Sequence, residues 1–446
     1  MQLQKIVIKM KLKKNLTFVI LLVSILNLNA KSSDTLKAEN NNEKLITLSE
    51  INSLVINNRE LVLSKLNQEI SSDNLKSNKN SLLPDIGLNG DSFYGNSLIL
   101  SKMNRDQKSN FAYQVQLYAE YELYSGGINR SRIAQMVHRK TLSDLETKYI
   151  EQEVLLEAYI LLYDIYRNMN YSTLINSSIY LRQKEYERIE ELYKNGLVLK
   201  SDLLRSKLYI TDLQRDEVTI QNSIDILSNQ LCTLLNLEKD VNIVPSIEAD
   251  LNYKILSSFD DLYEYALENS QIIKMNKTSV EIEKEKLNEV KSQNLPSFKL
   301  YANYGIGNIN PAFKYNNQAY GEVGAKLNIS IDSYYKIPSE LKSQKLNINR
   351  GLVNLENETD ILKHNLFELY TRYNEALINI ERAKEKIKMS LESARILRNS
   401  YFNQQSLLID VLEAETKSIE SSFELVEATV DAQKYYWAIQ KVAGKL

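Results

Sequence analysis

Two long parts of this chain contain almost no helix breakers. The sequence of 446 residues has five prolines, and none lies within 128–239 or 339–446. Gly196 is the only glycine of the first part, and Gly351 and Gly444 are the only glycines of the second. Since proline breaks helices and glycine weakens them, both parts are predicted to be helical.

Apolar residues in these parts recur at intervals of three and four, which indicates amphipathic helices packed on one face. The first helix, about 129–194, would have ~65 residues and be roughly 100 Å long at 1.5 Å per residue. Helices of that length are stable when they pack side by side, so the sequence predicts long coiled coils.

One twelve-residue pattern interrupts each helical part. YKNGLVLKSDLL begins at residue 193, and YFNQQSLLIDVL begins at residue 401. Asn195-Gly196 favours the end of a helix, because glycine tolerates a left-handed cap. Ser201-Asp202 favours the N-cap of a following helix, predicted over about 202–237. Each pattern therefore predicts the tip of a helical hairpin.

The repetition extends over nearly the whole chain. LSEINSLVINNREL from 48 aligns with FDDLYEYALENSQI from 259, and SLLPDIGL from 81 aligns with QNLPSFKL from 293. Each half is predicted to run helix, strand, strand, long helix, tip and return helix. The predicted units are a first repeat at 31–237, a polar connector at 238–258 and a second repeat at 259–446, with long hairpins at about 129–237 and 339–443.

Residues 1–30 have the composition of a secretory signal peptide. Five lysines precede the apolar run LTFVILLVSIL, and Leu28-Asn29-Ala30 follows with a small residue at the cleavage point. A short membrane anchor is the alternative, but the run is too brief to span a bilayer. We therefore expect an exported protein without a transmembrane helix.

Two segments alternate strictly between apolar and polar residues, namely YQVQLYAEYELY at 113–124 and EVGAKLNISID at 322–332. Such alternation fits a strand that is tilted through a bilayer, with its apolar face toward lipid. A half-buried antiparallel sheet has the same period, so the pattern alone leaves both readings open. The signal peptide and the length of the helices favour the membrane reading.

Partner strands are predicted directly after Pro84 and Pro296, with linking loops at about 89–112 and 307–320. The strand regions are thus about 84–124 and 296–332, with four strands in all. A sheet in lipid must close, because open edges would leave amides unpaired. Known barrels have at least about eight strands. The sequence therefore predicts that several copies share one barrel.

Four motifs in constant order carry a resemblance to a known family. They are the duplicated proline-led strand, ELYSGGINRSRIAQ from 122, YKNGLVLKSDLL from 193 and IDVLEAE from 409. Over about 48–446 the chain resembles the TolC-like outer membrane efflux proteins. The resemblance implies a mainly α-helical fold with a membrane β-barrel part. It also implies a homotrimer with a shared twelve-stranded barrel and a helical tunnel in the periplasm.

The implied function is a passive, porin-like exit channel of the outer membrane, in a tripartite efflux or type I secretion system. The implied partners are a periplasmic adaptor, an inner-membrane transporter of the RND, ABC or MFS type, and outer membrane lipid. The alternative is a periplasmic coiled-coil adaptor without a pore. Adaptors, however, carry a compact β-domain beside one hairpin, and a duplicated pair of hairpins is not their layout.

The chain offers little material for catalysis or nucleic-acid binding. His138, His364 and Cys232 are isolated from one another in sequence, so a metal or nucleophilic site lacks ligands. The formal net charge of −2 predicts no basic surface for nucleic acid. We therefore predict no enzyme activity, no cofactor and no metal.

The first tip is the candidate surface for docking the adaptor. The resemblance assigns this role to Gly196, Leu197, Ser201 and Asp202. The alternative is that Gly196 only caps the end of the first helix and that Ser201 and Asp202 only cap the start of the next.

The second tip corresponds to the closed entrance of the family's tunnel. The resemblance assigns the constriction to Tyr401, Asp410 and Glu413, together with Asp202. Asp410 and Glu413 share a helix face because they are three residues apart. In a trimer they would form two carboxylate rings that favour cations. A solvated acidic face is the alternative.

Two residues at the second tip depart from the family pattern. Ser406 stands where well-known members have an arginine that helps to lock the entrance, and Lys200 is a candidate replacement for that cation. Gln404 stands in the place of the tip glycine. The second turn is therefore expected to be strained or capped differently from the first.

Overall fold

The computed structural model describes residues 43–94, 111–238, 242–247, 256–307 and 318–446. The predicted signal peptide at 1–30 lies outside the described residues. So do parts of the connector and of both loops predicted to link the strands.

The described residues form two repeats with the same order of elements. The first contains β1 (Glu43–Ile46), α1 (Leu48–Leu54), a 3-10 turn (Val55–Asn57), α2 (Arg59–Asn80), β2 (Asp85–Tyr94), β3 (Phe111–Ser125), α3 (Ile128–Lys194) and α4 (Lys200–Leu234). The second contains β4 (Asn242–Pro245), α5 (Phe259–Asn269), α6 (Gln271–Ser292), β5 (Ser297–Gly307), β6 (Gln318–Asn328), α7 (Ser333–Phe402) and α8 (Leu408–Val442). The predicted long helical hairpins are confirmed, with 67 residues in α3 and 70 in α7.

The last predicted strand ends earlier than the alternation suggested. We predicted a strand through residue 332, but β6 ends at Asn328. The Ser330 hydroxyl donates to the Asp332 carboxylate, which also pairs with Lys336 at 2.6 Å. These local contacts form a turn before α7, so the alternating residues that follow Asn328 do not extend the sheet.

The sequence analysis missed two short strands, β1 and β4, and β4 lies within the predicted connector. β4 pairs in parallel with β1, and Lys44 lies opposite Ile243. Ile46 and Ile243 are both buried in the core of the first repeat. With four residues in each strand and partners far apart in sequence, this pair carries no periodic signal that could be recognised locally.

The four longer strands form one antiparallel sheet in the order β2-β3-β5-β6. Ala119 of β3, for example, lies between Ile86 of β2 and Ala302 of β5. Among the described residues, the outer edges of β2 and β6 have no partner strand. One face of the sheet is exposed and apolar, with the side chains of Ile86, Leu88, Val115, Leu117, Leu300, Ile306, Val323 and Leu327.

The helices continue the order of the strands. Next to the sheet, the order is α2-α3-α6-α7; farther away, α3 packs against α4 and α8, and α8 packs against α7. Hydrogen bonds and ion pairs join these neighbours at Ser64–Thr147 (2.8 Å), Arg132–Glu289 (2.7 Å), Gln344–Glu283 (2.6 Å), Lys434–Asp164 (2.5 Å) and Lys386–Glu424 (2.5 Å). None of the helices in the described part of the chain is long and apolar enough to cross a membrane.

Four helix ends show the duplication at the level of single residues. Gly196, Asn236, Gln404 and Gly444 all have positive φ, between 52° and 74°. Positions 196 and 404 are 208 residues apart, as are positions 236 and 444. At each of these ends, the N–H of the left-handed residue and that of the next residue bond back to carbonyls of the last helical turn. Helices of both repeats therefore end in the same left-handed motif.

Gln404→Gly is expected to stabilise the second tip by roughly 1 kcal/mol. Gln404 has a φ of 60°, where a Cβ atom is strained and glycine is not. The free energy of unfolding would be measured by chemical denaturation. Gln405→Gly is the matched control, because that neighbour does not have a positive φ. An equal effect of the two substitutions would contradict the strain.

Candidate functional site

The two hairpin tips, residues 195–199 and 403–407, lie against each other at the end of the helices. Between them is a small apolar cluster, which we call the tip cluster. Its buried members are Ile189, Tyr401, Leu408 and Val411, and its half-buried members are Val198, Leu203, Leu397, Phe402 and Leu412. Because these residues come from both repeats, the cluster holds the two hairpins together at the tips.

Tyr401 is one of the four buried members of the tip cluster. Its side chain is 8% exposed, and its buried hydroxyl lies next to the carboxylate of Asp202. Burial and the nearby negative charge of Asp202 raise the pKa of Tyr401 to about 12. The phenol is therefore neutral at any physiological pH. The structure thus brings together two of the four predicted entrance residues, one from each repeat.

Asp410 and Glu413 are both exposed on α8. Asp410 lies in the first turn, where its Oδ2 accepts a hydrogen bond from the backbone N–H of Leu407 at 3.3 Å. Glu413 lines an open groove of about 710 Å³ between α4 and α8, together with Arg205 and Lys417. Both carboxylates are thus accessible to solvent in the single chain, and their arrangement as rings stays a prediction.

The predicted docking residues lie at an exposed turn. Gly196, Leu197 and Ser201 are exposed, and Asp202 is half-buried. The predicted capping role of Ser201-Asp202 is wrong, because α4 begins at Lys200 with Leu199 as its N-cap. Asp202 lies in the first turn instead, where its carboxylate faces the positive end of the helix dipole.

The two departures at the second tip are accommodated within the turn itself. The Ser406 hydroxyl donates to the backbone carbonyl of Leu397 at 3.1 Å. Gln404 adopts the left-handed conformation of Gly196, as noted above. The second turn therefore has the same shape as the first despite its different sequence. The suggested substitution of Lys200 for the missing arginine stays a prediction.

A network of four charged residues, two of them buried, lies beside the tip cluster and was missed by the sequence analysis. Arg182 and Glu185 belong to α3, Arg398 to α7 and Glu415 to α8. Arg182 contacts both glutamates, and Arg398 lies 2.7 Å from each of them. Glu415 is 3% exposed and Arg182 is 6% exposed. Burial and the charge of Glu415 raise the pKa of Glu185, and the two arginines act in the opposite direction.

This network has a signal in the sequence that is visible in retrospect. The buried face of α8 runs Leu408, Val411, Glu415, Ser418, with alternating spacings of three and four. Glu415 thus occupies a coiled-coil core position, where a charge requires a partner. The spacing could have identified Glu415 as buried, but it contains no information about which arginines meet it.

Residues with metal-binding or nucleophilic chemistry are scattered. The described residues contain no group of three or more His, Cys, Asp or Glu side chains that could hold a metal ion. Cys232 is buried in the core of the first repeat. Of the two histidines, His364 is exposed and His138 is half-buried.

Comparison with known proteins supports one family. No family model matches the chain. Outer membrane protein TolC of Salmonella enteritidis is 19% identical over 387 residues, which are 84% of this chain and 76% of that protein. The outer membrane protein VceC of Vibrio cholerae has a TM-score of 0.74 at 15% identity, over 89% of this chain and 96% of VceC. The chain is TolC-like.

The same TolC-like fold is present in the open state of the MtrE outer membrane channel of Neisseria gonorrhoeae. The TM-score is 0.74 at 16% identity, over 89% of this chain and 88% of MtrE. The predicted resemblance and the predicted mainly helical, duplicated fold are therefore confirmed. The relatives are outer membrane proteins, in agreement with the predicted localisation.

In a TolC-like chain the tips are remote from the four-stranded sheet. α3 leaves the sheet directly after β3 and reaches the first tip 67 residues later, roughly 100 Å away. The tip cluster, Asp202 and the ion network are thus concentrated at one end of the molecule. Such an arrangement can hold two hairpins together or let them separate.

Proposed function

We propose that this chain forms a passive exit channel of the outer membrane, in which identical copies enclose one barrel and one helical tunnel. The observation that carries the proposal is the pair of open edges on a single chain. β2 and β6 are the outer strands of the sheet, and their outer edges are unpaired among the described residues. A sheet whose exposed face is apolar can lie in lipid only if those edges are paired.

Pairing between copies satisfies the geometry. Neighbouring strands alternate in direction across the sheet, so β6 of one copy can continue antiparallel to β2 of the next. Four strands per chain do not reach the minimum of about eight for a barrel. Three copies would supply the twelve strands that the family resemblance implies.

The helical edges support the same assembly. Exposed apolar residues form a stripe along α7, at Leu346, Val353, Phe367, Ile378, Met389 and Ile396. On the opposite side of the chain, α2 and α4 expose Val62, Leu63, Leu66, Ile70, Leu204, Leu208, Val218 and Ile226. Apolar side chains along a long helix are stabilised by a neighbouring helix. We infer that α7 of one copy packs against α2 and α4 of the next.

We infer further that the first tip docks a periplasmic adaptor. Leu197 is 53% exposed and Leu199 is 70% exposed, beside Ser201 and the half-buried Asp202. Exposed leucines at a rigid turn are suited to burial by a partner. The system would be a tripartite efflux or type I secretion system, in which an RND, ABC or MFS transporter of the inner membrane supplies the energy.

The proposal is tested by fractionation, oligomeric state and conductance. The mature protein should stay with the outer membrane after a carbonate wash, run as a trimer in detergent and conduct ions in planar bilayers. A protein that is released by carbonate and forms no pores would instead support the alternative of a periplasmic coiled-coil adaptor.

Asp410→Ala/Glu413→Ala is expected to lower the preference of the channel for cations. In the assembled channel the two exposed carboxylates would recur on each copy at the entrance, where they attract cations and repel anions. The reversal potential in a salt gradient measures this preference. The control is Glu368→Ala/Glu381→Ala, which removes two exposed carboxylates from α7 away from the tip. Equal shifts in both variants would contradict the carboxylate rings.

A further inference from the structure

On one face of the sheet, each of three tyrosines has a glycine opposite it on an adjacent strand, and its ring covers that glycine. In the strand register, Tyr118 of β3 is opposite Gly87 of β2, Tyr301 of β5 is opposite Gly324 of β6, and Tyr320 of β6 is opposite Gly305 of β5. This face alternates with the apolar face described above, and it also carries Gln116, Glu120 and Glu322. In the proposed channel it is the face that lines the water-filled interior.

Each tyrosine ring occupies the position that a Cβ atom would take if the opposite glycine had a side chain. A Cβ atom added at Gly87 would lie 2.5 Å from the hydroxyl oxygen of Tyr118. At Gly324 it would lie 2.5 Å from Cζ of Tyr301, and at Gly305 it would lie 2.8 Å from the hydroxyl oxygen of Tyr320. Since real Cβ atoms do not approach other atoms so closely, each ring lies flat on the backbone of a glycine.

Tyr320 is also held at its far end. Its ring passes over Gly305, and its hydroxyl donates to Oε1 of Gln116 at 3.0 Å. The side-chain amide of Gln114 donates to the same hydroxyl. The ring therefore extends from β6 across β5 to β3, parallel to the sheet. Strand side chains ordinarily stand roughly perpendicular to the sheet, so this orientation depends on the missing side chain at residue 305.

We propose that Gly87, Gly305 and Gly324 set the bore of the conduit at its membrane end, by letting these tyrosines lie against the wall. The inference rests on the proposed function, because the bore exists only if copies close into a channel. Tyrosines that stood upright on this face in each copy would project into the interior. With the rings laid flat, the conduit admits bulkier hydrated solutes than its tyrosine-rich wall would otherwise allow.

Polymer exclusion in planar bilayers tests the inference from each side of the channel separately. Polyethylene glycols of graded mass lower the conductance when they enter the pore. Gly324→Ala should lower the largest mass that enters from the barrel side, because its Cβ displaces the ring of Tyr301, while entry from the tip side is unchanged. Gly321→Ala is the matched control on the same strand. Its Cβ would lie 3.5 Å from Cδ2 of Tyr304 on the apolar face, which is an ordinary contact.

A second substitution separates the position of the ring from a general effect on the sheet. In Tyr301→Ala/Gly324→Ala no ring can be displaced, so the barrel-side cut-off should return at least to that of the unaltered protein. Gly87→Ala, on a different pair of strands, provides an independent test if Gly324→Ala does not assemble. The inference about the glycines would be overturned if the largest polymer mass that enters from the barrel side is unchanged in both single variants, or stays low in the double variant. Either result would leave the proposed function intact. Absence of any conductance from the unaltered chain would refute the proposed function itself.

Discussion

Arg182→Met is expected to lower the free energy of unfolding by about 3 kcal/mol, because it leaves the buried Glu415 and the half-buried Glu185 with too little positive charge. Arg182 contacts both Glu185 and Glu415, and Glu415 is 3% exposed. After the substitution, Arg398 alone faces the two glutamates. Chemical denaturation followed by circular dichroism of the helices measures the loss.

Two further variants define the cause of that loss. Arg215→Ala removes an arginine whose ion pairs with Asp212 and Asp216 are on the surface, and it should leave the free energy of unfolding nearly unchanged. Arg182→Met/Glu415→Leu replaces a buried pair by apolar side chains and should recover most of the stability. If Arg182→Met behaves like Arg215→Ala, the network does not hold the hairpins together.

Tyr401→Ala is expected to separate the two tips, whereas Tyr401→Phe is not. The ring is packed within the tip cluster, and its removal leaves a cavity that costs about 3 kcal/mol. The hydroxyl, in contrast, lies beside the half-buried carboxylate of Asp202, which water can still reach, so its removal carries little penalty. Loosened tips should show faster cleavage by trypsin at Lys194 and Lys200 and a larger conductance in bilayers.

The duplication supplies a matched control for this experiment. Tyr193 occupies the same place in the first tip, 208 residues earlier, but its side chain is 37% exposed. Tyr193→Ala should therefore leave both trypsin cleavage and conductance nearly unchanged. Tips that open as readily in Tyr401→Phe as in Tyr401→Ala would show that the hydroxyl, and not the packed ring, holds them together.

Local features of the fold were predictable from the sequence. The proline-free parts predicted α3 and α7, and the repeated tip motif predicted where each helix turns back. The alternation of apolar and polar residues predicted β3 correctly. The same alternation predicted that β6 extends to residue 332, which is wrong because the contacts of Asp332 form a turn after Asn328. Gln404 illustrates the same limit at one residue, since its left-handed conformation follows from its place in the repeat and not from its own preference.

The candidate site was predictable only in part. The family resemblance identified Tyr401 and Asp202, and the structure brings them together. It did not identify Arg182 and Glu415, which are buried against each other although they lie in different repeats. The residues next to Arg182 and Glu415 in the sequence do not indicate which distant residue each of them contacts.

The sequence by itself determined the repeated order of helices and strands, because breakers, periodicity and turn residues act over a few neighbouring positions. Only the tertiary structure decided which distant residues meet. Those contacts include the β1–β4 pair, the ion network and the glycines beneath tyrosine rings. Each of these depends on the packing of segments far apart in the chain, and the free energy of a buried charge or a close backbone contact exists only once that packing has formed.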